Sequence, residues 1–543
     1  MKKIIFILLL IFAQKISAQV TQEWVATYNG TGTGSFYAVK NAIDNLGNLI
    51  VAGVSEVMST DYLILKYNSS GILIWSRTYN GTENGTDRLK DMVLDDSGNV
   101  YVTGSSNEGI SNGYTNWLTI KYNPAGEMKW KKSLDWTLHK EDVPFCITLD
   151  KDRNILVAGY GWSPPSNLQN FDMVVAKYSN NGEELWTRSF DSPPFHSDWG
   201  YSVVTDDSCG VYLSGYSFPS KIATVKYNTE GKQIWVREYP RNSSEYAIPL
   251  YSKIDGQNNI IVNGYYQLAG QSNFVTLKYE RNGNLLWDRV FDSPVGNNDY
   301  VNEILLDDNL NIYLVGRTFT NFYNDILLIK YSSCGDTILL KTYDNGISEN
   351  DVGNSIAIDT KGNIYVTGNT FSSSGNDFLT IKFDSAGTVN WVKTYNYPLV
   401  YPNSDISRYI SIDKHSNIMV SGQSYFSDNS LGIVNIKYSQ LTNLELKSTS
   451  KNQNFNFYIF PNPFNPNTTI NYELNSSGNV NISVYDITGK IISEIVNQEQ
   501  GPGKYEVVFS SIAEGKNLNS GIYFCRLTIN NRYSETIKLL LLK

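Results

Sequence analysis

The chain has 543 residues and a mass of 61.2 kDa, too long for one ordinary domain of roughly 100–200 residues unless a large repeat closes on itself. With 41% hydrophobic and 13% aromatic residues, including 38 Tyr and 11 Trp, the composition is not that of a disordered chain. Lys and Arg number 44 against 53 Asp and Glu, and a net charge of −9 argues against a nucleic-acid partner, since phosphate binders need a positive surface.

At the N-terminus, Lys2 and Lys3 precede an apolar run from Ile4 to Ala13, and Ile16-Ser17-Ala18 supplies small residues at the cleavage positions. Residues 1–18 read as a secretory signal peptide for the Sec translocon, with Gln19 the first mature residue. Such a run reaches ~15 Å as a helix, half of a ~30 Å hydrocarbon core, and no later stretch is longer, so no transmembrane segment is expected. No Cys follows it to carry a lipid. The four Cys, at 146, 209, 334 and 525, have irregular spacing and form no C-x-x-C, so neither a disulfide framework nor a zinc site is indicated.

A repeat of roughly fifty residues follows. Lys before Tyr or Phe recurs at 66, 121, 177, 226, 278, 330, 382 and 437. A Gly ending an apolar segment recurs at 53, 104, 159, 215, 264, 316, 368 and 422, and an Asp before it at 44, 95, 150, 206, 255, 307, 359 and 413. Asn stands four residues after each Asp except the fourth, where Gly210 replaces it. Trp75, Trp130, Trp186, Trp235, Trp287 and Trp391 follow the Lys, with Leu340 in the sixth unit. Each unit predicts four short strands, and the third is apolar on both faces, as in Tyr62-Leu63-Ile64-Leu65. A strand buried on both faces needs sheets packed against each, and radially arranged four-stranded sheets satisfy that need. The last unit has no Trp strand, but Trp24-Val25-Ala26-Thr27-Tyr28 precedes the first. The expectation is an all-β, eight-bladed β-propeller over residues 19–440, closed by this N-terminal strand. A seven-bladed ring with one displaced unit is the alternative.

The pattern D-x-x-G-N-x-x-V-x-G with D-x-x-x-x-K-Y-x-x-x-G-x-x-x-W, cleanest at Asp359–Gly368 and Asp377–Trp391, resembles the SBBP family of bacterial propeller repeats. The resemblance implies fold and export but no reaction, because propellers host many unrelated functions.

Residues 441–454 read as a polar linker, and residues 455–543 carry about seven alternating segments, expected to form a small Ig-like β-sandwich. Their motifs are Pro461-Asn462-Pro463-Phe464, Tyr485-Asp486 with Gly489, Gly521 with Tyr523, and the terminal Leu-Leu-Leu-Lys543. This segment resembles the type A C-terminal sorting domain of the type IX secretion system. The resemblance implies recognition by that translocon, removal of the domain near the linker, and release or attachment of the propeller at the cell surface after passage through the periplasm.

The repeated Asp and Lys predict within-sheet contacts of a framework kind, since a catalytic site needs unlike groups converging once. Their turns occupy one face of the ring and are uniform in length; the loops of the opposite face vary, and variable loops on a rigid scaffold are where binding resides. On that face a second acidic series, Asp87, Asp142, Asp198, Asp299, Asp351 and Asp405, precedes the turn Asp by eight residues, with Phe36 and Ala247 breaking it. It reads either as capping the strand starts or as an acidic channel mouth, for which Asp142, Asp198 and Asp299 are the candidates. Trp136, Trp162 and Trp199 are the Trp outside the repeating strands and are expected in variable-face loops of the third and fourth blades, near His139 and His196. They are candidate platforms for a surface glycan or a peptide, against a reading as loop packing. No H-E-x-x-H, G-x-S-x-G or Walker loop occurs, and three scattered His suggest no metal; no cofactor and no catalytic residue are assigned. The expected protein is a secreted or outer-membrane cell-surface, monomeric, non-catalytic binding scaffold. The alternative is a secreted carbohydrate-active hydrolase or lyase with an Asp pair over the channel.

Overall fold

In the computed structural model, residues 20–440 and 457–542 are described, apart from 31–33, 82–84, 108–113, 138–139, 165–169, 193–195, 240–245, 269–270, 294–297, 321, 347–348, 373–374, 398–402, 427–429, 475, 487–489, 514–515 and 531–532. Two compact units divide between residues 441 and 442. The proposed signal peptide, linker and His139 lie outside the described residues. All regular structure among the described residues is β.

The first unit contains eight antiparallel sheets of four strands in chain order, one of which gains a short fifth strand. Sheet 1 runs Ser35–Ile43, Leu49–Glu56, Thr60–Tyr67 and Leu73–Tyr79; sheets 2 to 7 follow over 88–134, 143–190, 199–239, 246–291, 300–343 and 351–395. Sheet 8 takes three strands from 406–440 and its fourth from Val20–Tyr28, with Trp24 opposite Lys437. The first strands of all eight sheets touch their neighbours in a closed circle, and the first strand of sheet 1 packs on that of sheet 8. First strands are therefore inner and fourth strands outer.

The burial patterns follow from position. The third strand of sheet 3, Phe171–Tyr178, is buried at every residue, as its apolar run predicts. The outer strand Leu73–Tyr79 is covered on one side only, burying Trp75 and Tyr79 while Leu73 and Ile74 face out. Each apolar cluster bridges neighbours: Ile50, Tyr62 and Trp75 of sheet 1 pack with Leu89, Val100 and Leu118 of sheet 2.

Two glycines per unit have distinct causes. Every inner strand carries a bulge, as between Ala38 and Lys40, which presses an inner-strand carbonyl onto the repeat Gly. A Cβ on Gly53 would lie 2.4 Å from Tyr37 O, and one on Gly368 1.8 Å from Val352 O. The second Gly, five residues after the Lys, has positive φ (82° at Gly71) and lies under the Trp of the preceding sheet. There the Trp Nε1 and the repeat Lys Nζ donate to one carbonyl. Trp75 and Lys66 reach Pro124 O at 3.1 and 3.2 Å, and Trp235 and Lys226 reach Arg281 O at 3.1 and 3.0 Å. The same latch closes the circle, with Trp24 and Lys437 reaching Ser69 O at 3.0 and 2.9 Å. In sheet 6 the residue opposite the Lys is Leu339, packed under Gly387. The expectation of Leu340 is corrected by one position, because strand alternation turns Leu340 outward, 51% exposed.

In the second unit, a three-stranded sheet (Phe457–Phe460, Asn467–Leu474, Gly503–Ser510) and a four-stranded sheet (Gly478–Tyr485, Ile491–Gln500, Gly521–Ile529, Tyr533–Leu541) share one core containing Phe464, Ile470, Val484, Phe509, Cys525 and Leu541.

Candidate functional site

The uniform face is framework. Each turn Asp closes its own turn: Asp44 Oδ1 accepts from Leu46 N and Asn48 N, and Oδ2 from the Asn48 amide. The arrangement recurs at Asp150, Asp255 and Asp413. The repeat Lys pairs directly with this carboxylate in sheets 1, 3 and 5, at 3.0, 2.9 and 2.8 Å. In sheets 2, 4, 6 and 7 a Tyr six residues after the Asp donates its hydroxyl instead: Tyr101, Tyr212, Tyr313 and Tyr365. There the Lys stands over the Tyr ring, as Lys121 does at 5.0 Å. In sheet 4, Lys226 also keeps its carboxylate at 3.4 Å. The expected Asp–Lys contact is thus direct in some sheets and exchanged for Tyr in others. The signal, Tyr against Ile or Leu in the second strand, lies in the sequence.

The second acidic series is not an open mouth. Asp142, Asp198 and Asp299 are 0–1% exposed. Asp142 accepts from Trp136 N (2.7 Å) and Trp162 N (2.8 Å), and Asp198 from Ser192 N (2.7 Å) and Phe218 N (3.1 Å). Asp299 accepts from Ser293 N (2.8 Å) and Thr318 Oγ1 (2.6 Å). Each carboxylate ties the incoming loop to the end of the second strand, and this enclosure removes it from the surface. Burial, with Asp135 and Glu141 adding to it, pushes Asp142 up to about 7.

The Trp sector is built on strands more than on loops. Trp162 ends the second strand of sheet 3 and Trp199 begins the inner strand of sheet 4; Trp136 alone of the three lies in a connection. All three are half-buried. Trp136 Nε1 donates to Ser163 Oγ at 3.1 Å, and Lys140 Nζ lies 4.2 Å above the Trp162 ring. The sequence reading missed the rings between them. Trp162 meets Phe171 (5.0 Å), Phe171 meets Tyr160 (4.8 Å), Tyr160 meets Trp199 (6.2 Å), and Trp199 meets Tyr216 (5.6 Å). Tyr160 also meets Phe145, which stacks on Tyr201 at 5.1 Å on the inner strands. The buried Trp117 donates to Tyr160 O at 3.0 Å and fixes the middle of the strip. His196 stacks on Phe218.

A second constellation lies on the inner strands. Lys40 Nζ is 2.5 Å from Asp91 Oδ1. Burial would lower the Lys40 ammonium, but Asp91, with Glu303 behind it, leaves it raised. Asp91 Oδ2 accepts from Ile147 N at 3.0 Å, Glu303 Oε2 from Ile356 N at 2.9 Å, and Cys146 Sγ from Val203 N at 3.2 Å. These side chains share the position just after the bulge, and each holds the free N–H of the next inner strand. Burial pushes the Cys146 thiol up to about 12, which keeps it from acting as a nucleophile.

In the second unit the motif residues hold the C-terminal strand. Asn462 Nδ2 donates to Lys538 O (2.6 Å), and its Oδ1 accepts from Leu540 N (2.8 Å). Phe464, buried, donates its N–H to Leu540 O at 2.9 Å. Pro461 O accepts from Thr468 Oγ1, and exposed Pro463 lies between. Asp486 Oδ1 accepts from Lys490 N, Arg526 lies over the Tyr485 ring, and Tyr523 donates to Asn519 O beside Gly521. Gly489 is outside the described residues.

Residues 74–110 and 343–376 match the family described as Beta-propeller repeat, and residues 458–542 match Secretion system C-terminal sorting domain. Among curated proteins, an uncharacterised WD repeat-containing protein of Acanthamoeba polyphaga mimivirus is 24% identical over 469 residues. That match takes in 69% of this chain, and the chain spans about a third (32%) of that relative. Among solved structures, polysaccharide lyase Uly1 is similar with a TM-score of 0.40 and 11% identity over 67% of this chain and 93% of its own. A protein of unknown function from Dyadobacter fermentans gives 0.37 and 8%, over 78% and 99%. Residues 74–110 and 343–376 thus carry β-propeller repeats. Residues 458–542 are a secretion-system C-terminal sorting domain, which indicates export by type IX secretion to the cell surface or extracellular space. Among the described residues no helix is long and apolar enough to cross a membrane.

Proposed function

We propose that the protein is an exported, monomeric, eight-bladed β-propeller that binds a surface glycan without turning it over. Residues 1–18 are its signal peptide, read by the Sec translocon. The 455–543 segment is an Ig-like sandwich handed to the type IX translocon and cut off in the 441–454 linker. The observation that carries the binding reading is the aromatic strip over sheets 3 and 4, with Trp162, Phe171, Tyr160, Trp199 and Tyr216 in ring contact. The half-buried Tyr160, Trp162, Trp199 and Tyr216, packed on or beside the buried Phe171, offer apolar faces to sugar C–H groups, while Lys140 and Glu141 supply polar partners. Asp142 and Asp198 serve this site by positioning the loops, and Asp299 does the same for the connection into sheet 6.

The alternative, a carbohydrate-active hydrolase or lyase, draws support from the inner strands. Lys40, Asp91, Tyr251, Glu303 and Tyr409 act on one another there as unlike groups converging once. One assay separates the readings: a glycan and peptide array on the full chain, followed by reducing-end and unsaturated-uronate detection on any ligand found. Binding without product, weakened roughly 30-fold by Trp162→Ala through loss of about 2 kcal/mol, is expected. Unchanged binding in both Trp162→Ala and Trp199→Ala would reduce the strip to packing. Product formation abolished by Tyr409→Phe would establish the enzyme.

A further inference from the structure

Asp and Asn residues of the variable face recur in threes at six of the eight places where one sheet meets the next. One member begins the third strand, five residues before the repeat Lys; one follows the outer strand; one begins the inner strand of the next sheet. Between sheets 6 and 7 these are Asp325, Asp344 and Asp351, and one carboxylate oxygen from each lies within 4.8 Å of the other two. Between sheets 3 and 4 the same places hold Asp172, Asp191 and Asp198, and four further junctions hold two Asp and one Asn.

Two observations separate this cluster from a solvated acidic patch. Asp351 is 1% exposed, and its Oδ1 has no hydrogen-bond partner, although the Thr370 hydroxyl stands near enough to favour the ionised form. A buried charged oxygen without a donor is costly. At four other junctions a different member is left open: Oδ1 of Asn116, Asp172, Asn273 and Asp377, each on the third strand, is buried without a partner. Five junctions thus hold a buried acceptor without a donor, on the inner strand here and on the third strand elsewhere.

We propose that Asp325, Asp344 and Asp351 bind a Ca2+ ion at the junction of sheets 6 and 7. The donors are all oxygen, which selects a hard cation. Oxygens on one Ca2+, at 2.3–2.6 Å, lie up to about 5 Å apart, whereas Mg2+ at 2.0–2.1 Å draws them within about 4.2 Å. The three oxygens, all within 4.8 Å of one another, lie inside the span that Ca2+ allows. Exposed Asp344 leaves a side open for the waters that complete six to eight ligands. The ion ties the third and outer strands of sheet 6 to the inner strand of sheet 7. Sites of about 10⁻⁴–10⁻³ M suffice for an extracellular protein.

The test uses the metal-stripped full chain, equilibrium dialysis with CaCl2, and melting in 2 mM CaCl2, 2 mM MgCl2 or EDTA. Saturable Ca2+ binding below about 1 mM is expected, with a melting temperature a few degrees higher than in EDTA and a smaller gain with Mg2+. Asp344→Asn and Asp325→Asn should each bind one Ca2+ fewer and lose that part of the gain, while melting at or above the parent in EDTA because like-charge repulsion is relieved. No binding at 5 mM, equal gains with Mg2+, or variants that keep the full Ca2+ stoichiometry would overturn the proposal. So would variants destabilised equally with and without Ca2+, which mark a merely structural role.

Discussion

Asp44 and Asp95 occupy the same turn in adjacent sheets and are compensated by different side chains. At Asp44, burial pushes the carboxyl up, but Asn48 and the Lys66 ammonium together leave it below the usual range. At Asp95 the Tyr101 hydroxyl takes the place of the ammonium, 3.1 Å away. Lys66→Met should therefore strand a buried charge and cost about 3–5 kcal/mol. Lys121→Met loses its ring contact and its bond to Asn180 O but strands no unpaired charge, and should cost less, about 2 kcal/mol. Midpoints of urea unfolding compare them directly, and equal losses would refute the exchange. The alternation was legible, because Ile50 and Tyr101 stand at the same place after their Asp. The aromatic strip was less so. Tyr160, Phe171 and Tyr216 read as ordinary strand residues, and only the packing of sheet 3 on sheet 4 aligns them with Trp162 and Trp199.

Among the elements, the N-terminal strand Val20–Tyr28 carries the greatest consequence for closure. It completes sheet 8 by pairing with residues 433–440, and its Trp24 lies on Gly71 and donates to Ser69 O of sheet 1. Without it the third strand of sheet 8 becomes an open edge and one latch between sheets is lost. Deleting residues 19–34 should remove several kcal/mol, which at about 2 °C per kcal/mol is about 10 °C in the melting temperature. An unchanged melting curve would show that the strand is an appendage. The pairing was foreshadowed by a shortage in the repeat: seven units carry their own outer strand and the eighth does not.

For the whole molecule, two sets of carboxyls oppose each other in pH. Asp44, Asp150 and Asp255 are lowered: burial acts against their ionised form, but their Asn and Lys partners outweigh it. Their stabilisation is full above the unfolded value near 4 and fades as pH falls through the folded values. On the other face burial raises Asp142 to about 7 and Asp172 and Asp405 to about 6, with neighbouring carboxylates adding to it. Between about pH 4 and 7 these groups hold more protons folded than unfolded, so stability falls as pH rises. In EDTA the melting temperature should peak near pH 4 and decline to about pH 7. Asp172→Asn, whose amide can occupy the place of the unpartnered Oδ1, should lessen the decline while changing little at pH 4. A melting temperature that rises steadily to pH 8 would contradict this arrangement.

The repeat, its four-strand units and the sorting motifs were all determined by the sequence itself. Each rests on short-range chemistry: a Gly where a carbonyl presses, an Asp that closes its own turn, an apolar run that must be covered on both faces. What Asp87, Asp142 and Asp198 do was decided only in the folded ring. A carboxylate at a strand start reads equally as a rim charge or a buried clamp. The difference lies in where loops six residues before it and twenty residues after it return. The approach of Asp325, Asp344 and Asp351 is likewise tertiary, because it needs the outer strand of one sheet and the inner strand of the next to end at the same height. Spacing along the chain carries no record of distances between sheets.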